Sequence, residues 1–170
     1  AIVAPAGALD GATAGTRIDA RGMVIAPGFI DIQGQSDEQL LTGDGRVISK
    51  ITQGVTTEIL GEGDTPAPVN DKLLATFAPT DTAGIRVAKQ FTGEHGFGTW
   101  LDAMQRHGNS INVGSFIGAG TIRTYSNGQA QGAPTEAQLD TMRRVTRDAM
   151  RDGAFGVASA LIYPPGSYAG

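Results

Sequence analysis

Gln33 and Gln35 stand two residues apart where an apolar run, residues 23–32, passes through PGFID at 27–31 and ends. In an extended strand residues i and i+2 share a face, so both carboxamides reach into one site while Ile32 packs behind them. A carboxamide oxygen is a weak ligand for zinc, whereas imidazole, thiolate and carboxylate are good ones. A carboxylate follows the second apolar run, VTTEIL at 55–60: Glu62 lies just beyond Gly61. Two readings stay open for each. The glutamines are strand-end groups hydrogen-bonded to neighbouring loops, or they line a site; Glu62 is a surface glutamate, or it is a metal ligand.

The other chemistry-bearing residues are more scattered. Arg123 is a planar, bidentate donor able to clamp a carboxylate, or it faces solvent. Asp31 is expected to make a structural hydrogen bond. His95 and His107 fall in an insertion and at a helix end, where solvated or capping roles are expected. Asp37, Glu38 and Asp44 form a weak acidic patch read as a solvated face. Tyr163 and Tyr168 flank Pro164-Pro165-Gly166 and read first as core aromatics on a stiff turn.

Composition bounds what such residues can serve. A chain of 170 residues with 40% hydrophobic and 18% charged residues is ordinary for a soluble globular protein. A net charge of −4 and the lack of a Lys/Arg cluster exclude a nucleic-acid partner. Without cysteine there is no thiolate nucleophile, disulfide or thiolate metal site. No apolar run approaches the roughly 20 residues that span a bilayer, and the start of the sequence lacks the pattern of a signal peptide, so no membrane partner and a cytoplasmic location are expected.

The elements that must position these groups alternate. Short strands at Ile2-Val3 and over 17–24 read as part of a small β-layer, a unit of residues 1–23. A strand over 23–32, buried on both faces, comes next. A helix over 46–52 carries Val47, Ile48 and Ile51 on one side and is closed by Gly54. Residues 55–60 form the second strand, and 65–94 a long insertion with a helical turn or two. A helix over 99–107, capped by Thr99, ends at Gly108. A third strand spans 111–117 and leads into a glycine-rich loop. Thr135 and Gln138 open a helix as a capping box, with Leu139, Met142, Val145 and Met150 at helical spacing until Gly153. A fourth strand is expected over 155–161.

Strand and helix in alternation give a parallel α/β sheet with right-handed crossovers. Four strands do not close a (β/α)8 TIM barrel, so residues 24–170 read as the first, N-terminal half of one, and the 170 residues as a fragment that needs the remainder of its own chain. A small doubly wound domain is the alternative, but its glycine-rich phosphate fingerprint is missing.

Several motifs resemble the amidohydrolase superfamily, metal-dependent hydrolases on a TIM barrel. PGFID at 27–31 and GVTT at 54–57 are shared across that superfamily. The segments FGTWL at 97–101, Asn112-Val113 through Gly120-Thr121-Ile122-Arg123, and DGAFG at 152–156 through LIYPPGSYA at 161–169 resemble its D-aminoacylase (N-acyl-D-amino-acid deacylase) branch. The departures are specific. Gln33, Gln35 and Ala119 stand where the family has histidines, and Glu62 is the nearest replacement for its metal-binding cysteine.

The resemblance implies hydrolysis of the amide of an N-acyl-D-amino acid, a small-molecule substrate, by a longer chain. It implies one zinc held by Glu62 with histidines from later strands, and a general-base aspartate beyond Gly170, so that no catalytic residue lies in this sequence and the isolated 170 residues are inactive. Gln33 and Gln35 then mark an emptied second metal position. Tyr163, Tyr168 and Arg123 become substrate-binding candidates. A binding protein with a decayed site, or an amidohydrolase of cyclic amides, are the competing expectations.

Overall fold

Glycine and β-branched residues set the chain's main parallel layer. The computed structural model describes residue 11 and residues 13–168. Strands β1 (Phe29–Asp31), β2 (Val55–Leu60) and β3 (Asn112–Ser115) form a parallel sheet in the order β1-β2-β3. After one irregular residue, β4 (Ile117–Gly118) pairs in parallel with β5 (Val157–Ala158), with Ile117 opposite Val157. Helices fill the crossovers: α1 (Asp37–Leu41) and α2 (Ile48–Ile51) precede β2, and α3 (Asp71–Leu74), α4 (Thr82–Ala88) and α5 (Gly96–His107) precede β3. Helices α6 (Ala119–Asn127) and α7 (Glu136–Arg151) lie between β4 and β5. The core gathers Leu40, Leu60, Phe91, Phe97, Trp100, Met104, Ile117 and Val145.

The second strand has the bounds expected of it, and its Gly61 turn carries φ +88°, which an L side chain rarely adopts. The α7 capping box is present: Thr135 Oγ1 accepts from Gln138 N at 3.3 Å, and Gln138 Oε1 accepts from Thr135 N at 2.8 Å. The insertion holds its helical turns, capped by Asn70, which accepts from Lys72 N and Leu73 N, and by Asp81, which accepts from Gly84 N.

Other expectations are corrected. Residues 13–28 contain no strand, which removes the expected strand over 17–24; Ile2-Val3 lies outside the described residues. The strand over 23–32 contracts to β1, and it is not buried on both faces: it pairs on one side only, with Phe29, Ile30 and Ile32 exposed. In the second helix Val47 is buried at the N-cap, whereas Ile48 and Ile51 face outward. Helix α5 begins three residues earlier than expected. Thr99 therefore does not cap it, its hydroxyl donating instead to His95 O at 2.9 Å. The third strand is broken at Phe116, and the fourth survives only as Val157–Ala158, with Phe155 and Leu161 exposed. On α7 it is Ala149, rather than Met150, that is buried.

The largest departure is α6, which occupies a segment read as glycine-rich loop. Its buried residues are mostly polar: Thr121, Arg123, Thr124 and Ser126, with Ile122 alone among them joining the apolar core. Thr121 Oγ1 accepts from Thr65 N at 2.7 Å and donates to Thr65 O at 2.9 Å, and Ser126 Oγ donates to Gln138 O at 2.7 Å. Hydrogen bonds replace the apolar stripe that would have revealed a helix.

Candidate active site

The ends of β1 and β2 are brought to a fixed separation by groups beneath them. Glu58 on β2 is fully buried, and its Oε1 accepts from Ser36 N at 3.3 Å and lies 3.5 Å from Lys50 Nζ. Lys50, from α2, also pairs with Asp31 of β1. The Lys50 ammonium, with the Gln33 N–H, holds the Asp31 carboxyl below the usual range, so Asp31 has the structural role expected of it. Gly34 N donates to Ile59 O at 2.9 Å, continuing the parallel pairing one step past β1.

On this base the segment that follows β1 brings Gln33 and Gln35 to Glu62. Gln33 Nε2 donates to Glu62 Oε1 at 2.5 Å, and Gln35 Nε2 donates to Glu62 Oε2 at 2.8 Å. An ionised carboxylate only accepts, which fixes the amide nitrogens toward it. Two residues from the segment just after β1 and one from the turn after β2 thus meet in a single cluster at the C-terminal strand ends.

Beside the cluster lies a cavity of about 330 Å³, lined among others by Gln35, Asp37, Glu62, Asp64, Trp100 and Tyr163. Asp37 is therefore not part of a solvated face: burial, with Glu38 and Glu58 nearby, pushes its carboxyl up. Burial also raises Asp64. Asp64 was not singled out in the sequence, although it follows Glu62 at the same two-residue spacing that joins the glutamines. A second cavity of about 380 Å³ shares Asp37 and Asp64 and is walled by Val69, Leu73, Phe77 and Pro164-Pro165.

The remaining candidates sit farther out. Tyr163 lines the cavity beside Glu62, and a smaller one of about 90 Å³ that also borders Arg123. Arg123 is buried, and its Nη2 donates to Ala130 O at 3.0 Å and Gly132 O at 2.7 Å, tying down the loop after α6. Tyr168 Oη donates to Gln129 O at 3.2 Å and does not join the cluster. Ala119 opens α6. Glu38 and Asp44 are exposed, Asp44 pairing with Arg46. His95 precedes α5 without a side-chain cap and meets Asp152 Oδ1 at 2.8 Å, while His107 Nε2 lies 2.8 Å from Gly43 O.

The donor set tests which metal these residues suit. Among the described residues no three His, Cys, Asp or Glu side chains converge as a metal-holding group. Glu62 supplies one carboxylate, and the amides beside it offer N–H rather than oxygen. Of the three side chains, Glu62 alone presents a good zinc ligand.

No family model matches the chain. It is 33% identical over 168 residues to a D-aminoacylase of Alcaligenes xylosoxydans xylosoxydans, covering 98% of this chain and 34% of the relative. It is 34% identical over 153 residues to an N-acyl-D-aspartate deacylase of the same organism, covering 89% and 30%. A crystal structure of D-aminoacylase, described as defining a novel subset of amidohydrolases, superposes with a TM-score of 0.77 at 27% identity, over 95% of this chain and 33% of that one. Another D-aminoacylase structure, TM-score 0.76 at 28% identity, concerns a binuclear metal centre with one-metal activation and second-metal attenuation. An N-acyl-D-glutamate deacylase from Bordetella bronchiseptica, solved with zinc and a phosphonate mimic of the tetrahedral intermediate, matches with a TM-score of 0.63 at 27% identity, over 85% and 29%. The chain spans about a third of the length of the relatives it matches. In sequence and in structure it is a relative of the D-aminoacylases, within the amidohydrolases.

Proposed function

We propose that the complete protein carrying this sequence hydrolyses the amide of N-acyl-D-amino acids in a zinc-dependent reaction. Its parallel strands would be the first of a TIM barrel. The observation that carries the reading is the meeting of Gln33, Gln35 and Glu62 at adjoining strand ends beside an open cavity, in a chain related to D-aminoacylases. Glu62 is the residue that would hold a single zinc, together with ligands from a longer chain. When bound there, the metal would polarise the scissile carbonyl and lower the pKa of a bound water.

The residues of this chain have roles of their own. Glu62 places negative charge at the mouth of the cavity. Tyr163 borders the same space and would contact the substrate. Apolar Val69, Leu73 and Phe77 give the adjoining cavity a wall suited to an acyl or side-chain hydrocarbon. Arg123 commits Nη2 to its loop carbonyls and would meet substrate through its remaining N–H groups, Nε having no hydrogen-bond partner; Tyr168 would shape the turn that carries Tyr163.

The second reading, a binding protein whose hydrolytic site has decayed, is favoured by one observation: the two positions nearest Glu62 carry carboxamides. Assaying the full-length protein with zinc on N-acetyl-D- and N-acetyl-L-amino acids separates the two. Release of acetate from the D series supports the hydrolase; binding without release of acetate supports the decayed site.

A further inference from the structure

We propose that Gln33 and Gln35 are positioning residues that act through Glu62, holding its carboxylate in one orientation by two N–H donors and closing the β1 side of the site to metal. The inference rests on the reading of Glu62 as a ligand, and three observations carry it.

The first is stoichiometric. Each oxygen of Glu62 accepts from one glutamine, at 2.5 and 2.8 Å. A carboxylate so gripped cannot rotate without losing both bonds. The grip is by neutral N–H donors and leaves the carboxylate oxygens further lone pairs with which to meet one cation.

The second is the cost of the alternative. For either glutamine to ligate a metal shared with Glu62, its amide must turn over to present Oε1. That breaks its bond to the carboxylate and exchanges a charge-assisted hydrogen bond for a weak zinc ligand.

The third is that the glutamines cannot draw back. The backbone on either side of them is fastened: Asp31 to Lys50, Gly34 N to Ile59 O at 2.9 Å, and Ser36 N to the buried Glu58 at 3.3 Å. On the β1 side it is therefore the two amides that stand against the carboxylate.

Partners that orient a metal ligand in this way typically alter metal affinity 10–100-fold when removed. The test is zinc titration by calorimetry, with elemental analysis, on the full-length protein stripped of metal. Gln33→Ala/Gln35→Ala is expected to hold the same number of zinc ions per chain as the wild type, at least about tenfold more weakly. Gln33→His/Gln35→His is expected to hold one more. Loss of a zinc ion in the alanine pair, or no gain in the histidine pair, overturns the proposal.

A second measurement stands apart from both metal and activity. In ¹⁵N-labelled, metal-free protein, the side-chain amide resonances of Gln33 and Gln35 are expected to move in Glu62→Ala; resonances that stay in place overturn the clamp. The clamp and the hydrolase reading fail separately. Turnover of N-acetyl-D-amino acids together with a zinc ion lost from the alanine pair sinks the clamp alone, whereas the clamp's signatures without turnover sink the hydrolase alone.

Discussion

A methyl group added at Gly34 would lie 2.1 Å from Cγ and Oε1 of Glu58, a side chain with no solvent exposure. Gly34 also separates the two glutamines, so its lack of a side chain is what lets β1 close on β2 at the height of Glu62. Overpacking of this kind costs about 1–3 kcal/mol. Gly34→Ala is therefore expected to lower the unfolding free energy by about 1–3 kcal/mol, read as a lower urea midpoint, and to loosen the Gln33–Glu62 and Gln35–Glu62 bonds; an unchanged midpoint would contradict the packing argument.

A different residue sets a dependence on pH. Asp152, by its hydrogen bond and then its charge, raises His95 above the ordinary histidine value. Because the folded pKa lies above the unfolded one, the contribution is complete below about pH 6.5 and is lost as pH rises through the folded value. His95→Gln should therefore differ most from the wild type in melting temperature on the acid side, with the gap closing toward alkaline pH. A gap that is constant with pH would refute the pairing.

Among the elements, legibility followed the kind of force that holds each one. Strand β2 was readable because VTTEIL combines β-branched residues with a glycine that stops the strand. Helix α7 was readable because its cap is written in the sequence as Thr135 and Gln138. Thr135→Ala is expected to cost about 1 kcal/mol, read as a lowered denaturation midpoint with the fold unchanged by circular dichroism. Helix α6 was not readable, because Thr121, Arg123 and Ser126 bury polar groups whose partners at Thr65, Gln138 and the 130–132 loop are known only in three dimensions.

The same distinction governs the site. Period-two alternation made the joint orientation of Gln33 and Gln35 legible, and the place of Glu62 after β2 marked it as a neighbour. That Asp37 and Asp64 line the cavity was not legible, since it depends on how the segments after the strands fold back over the strand ends.

At the scale of the molecule, apolar residues of the first and last described segments face outward: Val24 is 93% exposed, Ile162 78% and Ile32 71%. Among the described residues strand β1 is an edge, paired only with β2. An open edge beside exposed isoleucines favours association. The 170 residues expressed alone are expected to sediment as oligomers, with Ile32→Lys shifting them toward monomer; a monomeric wild type would contradict this.

Glu62 is the carboxylate at the strand ends that is held by two amides beside a cavity, and the proposed chemistry turns on that group. The most direct measurement is elemental analysis of the full-length protein and of Glu62→Ala, alongside N-acetyl-D-amino acid hydrolysis by each. About one zinc per chain in the wild type, lost together with hydrolysis in Glu62→Ala, is the result this account predicts. Zinc retained and hydrolysis undiminished in Glu62→Ala would contradict it.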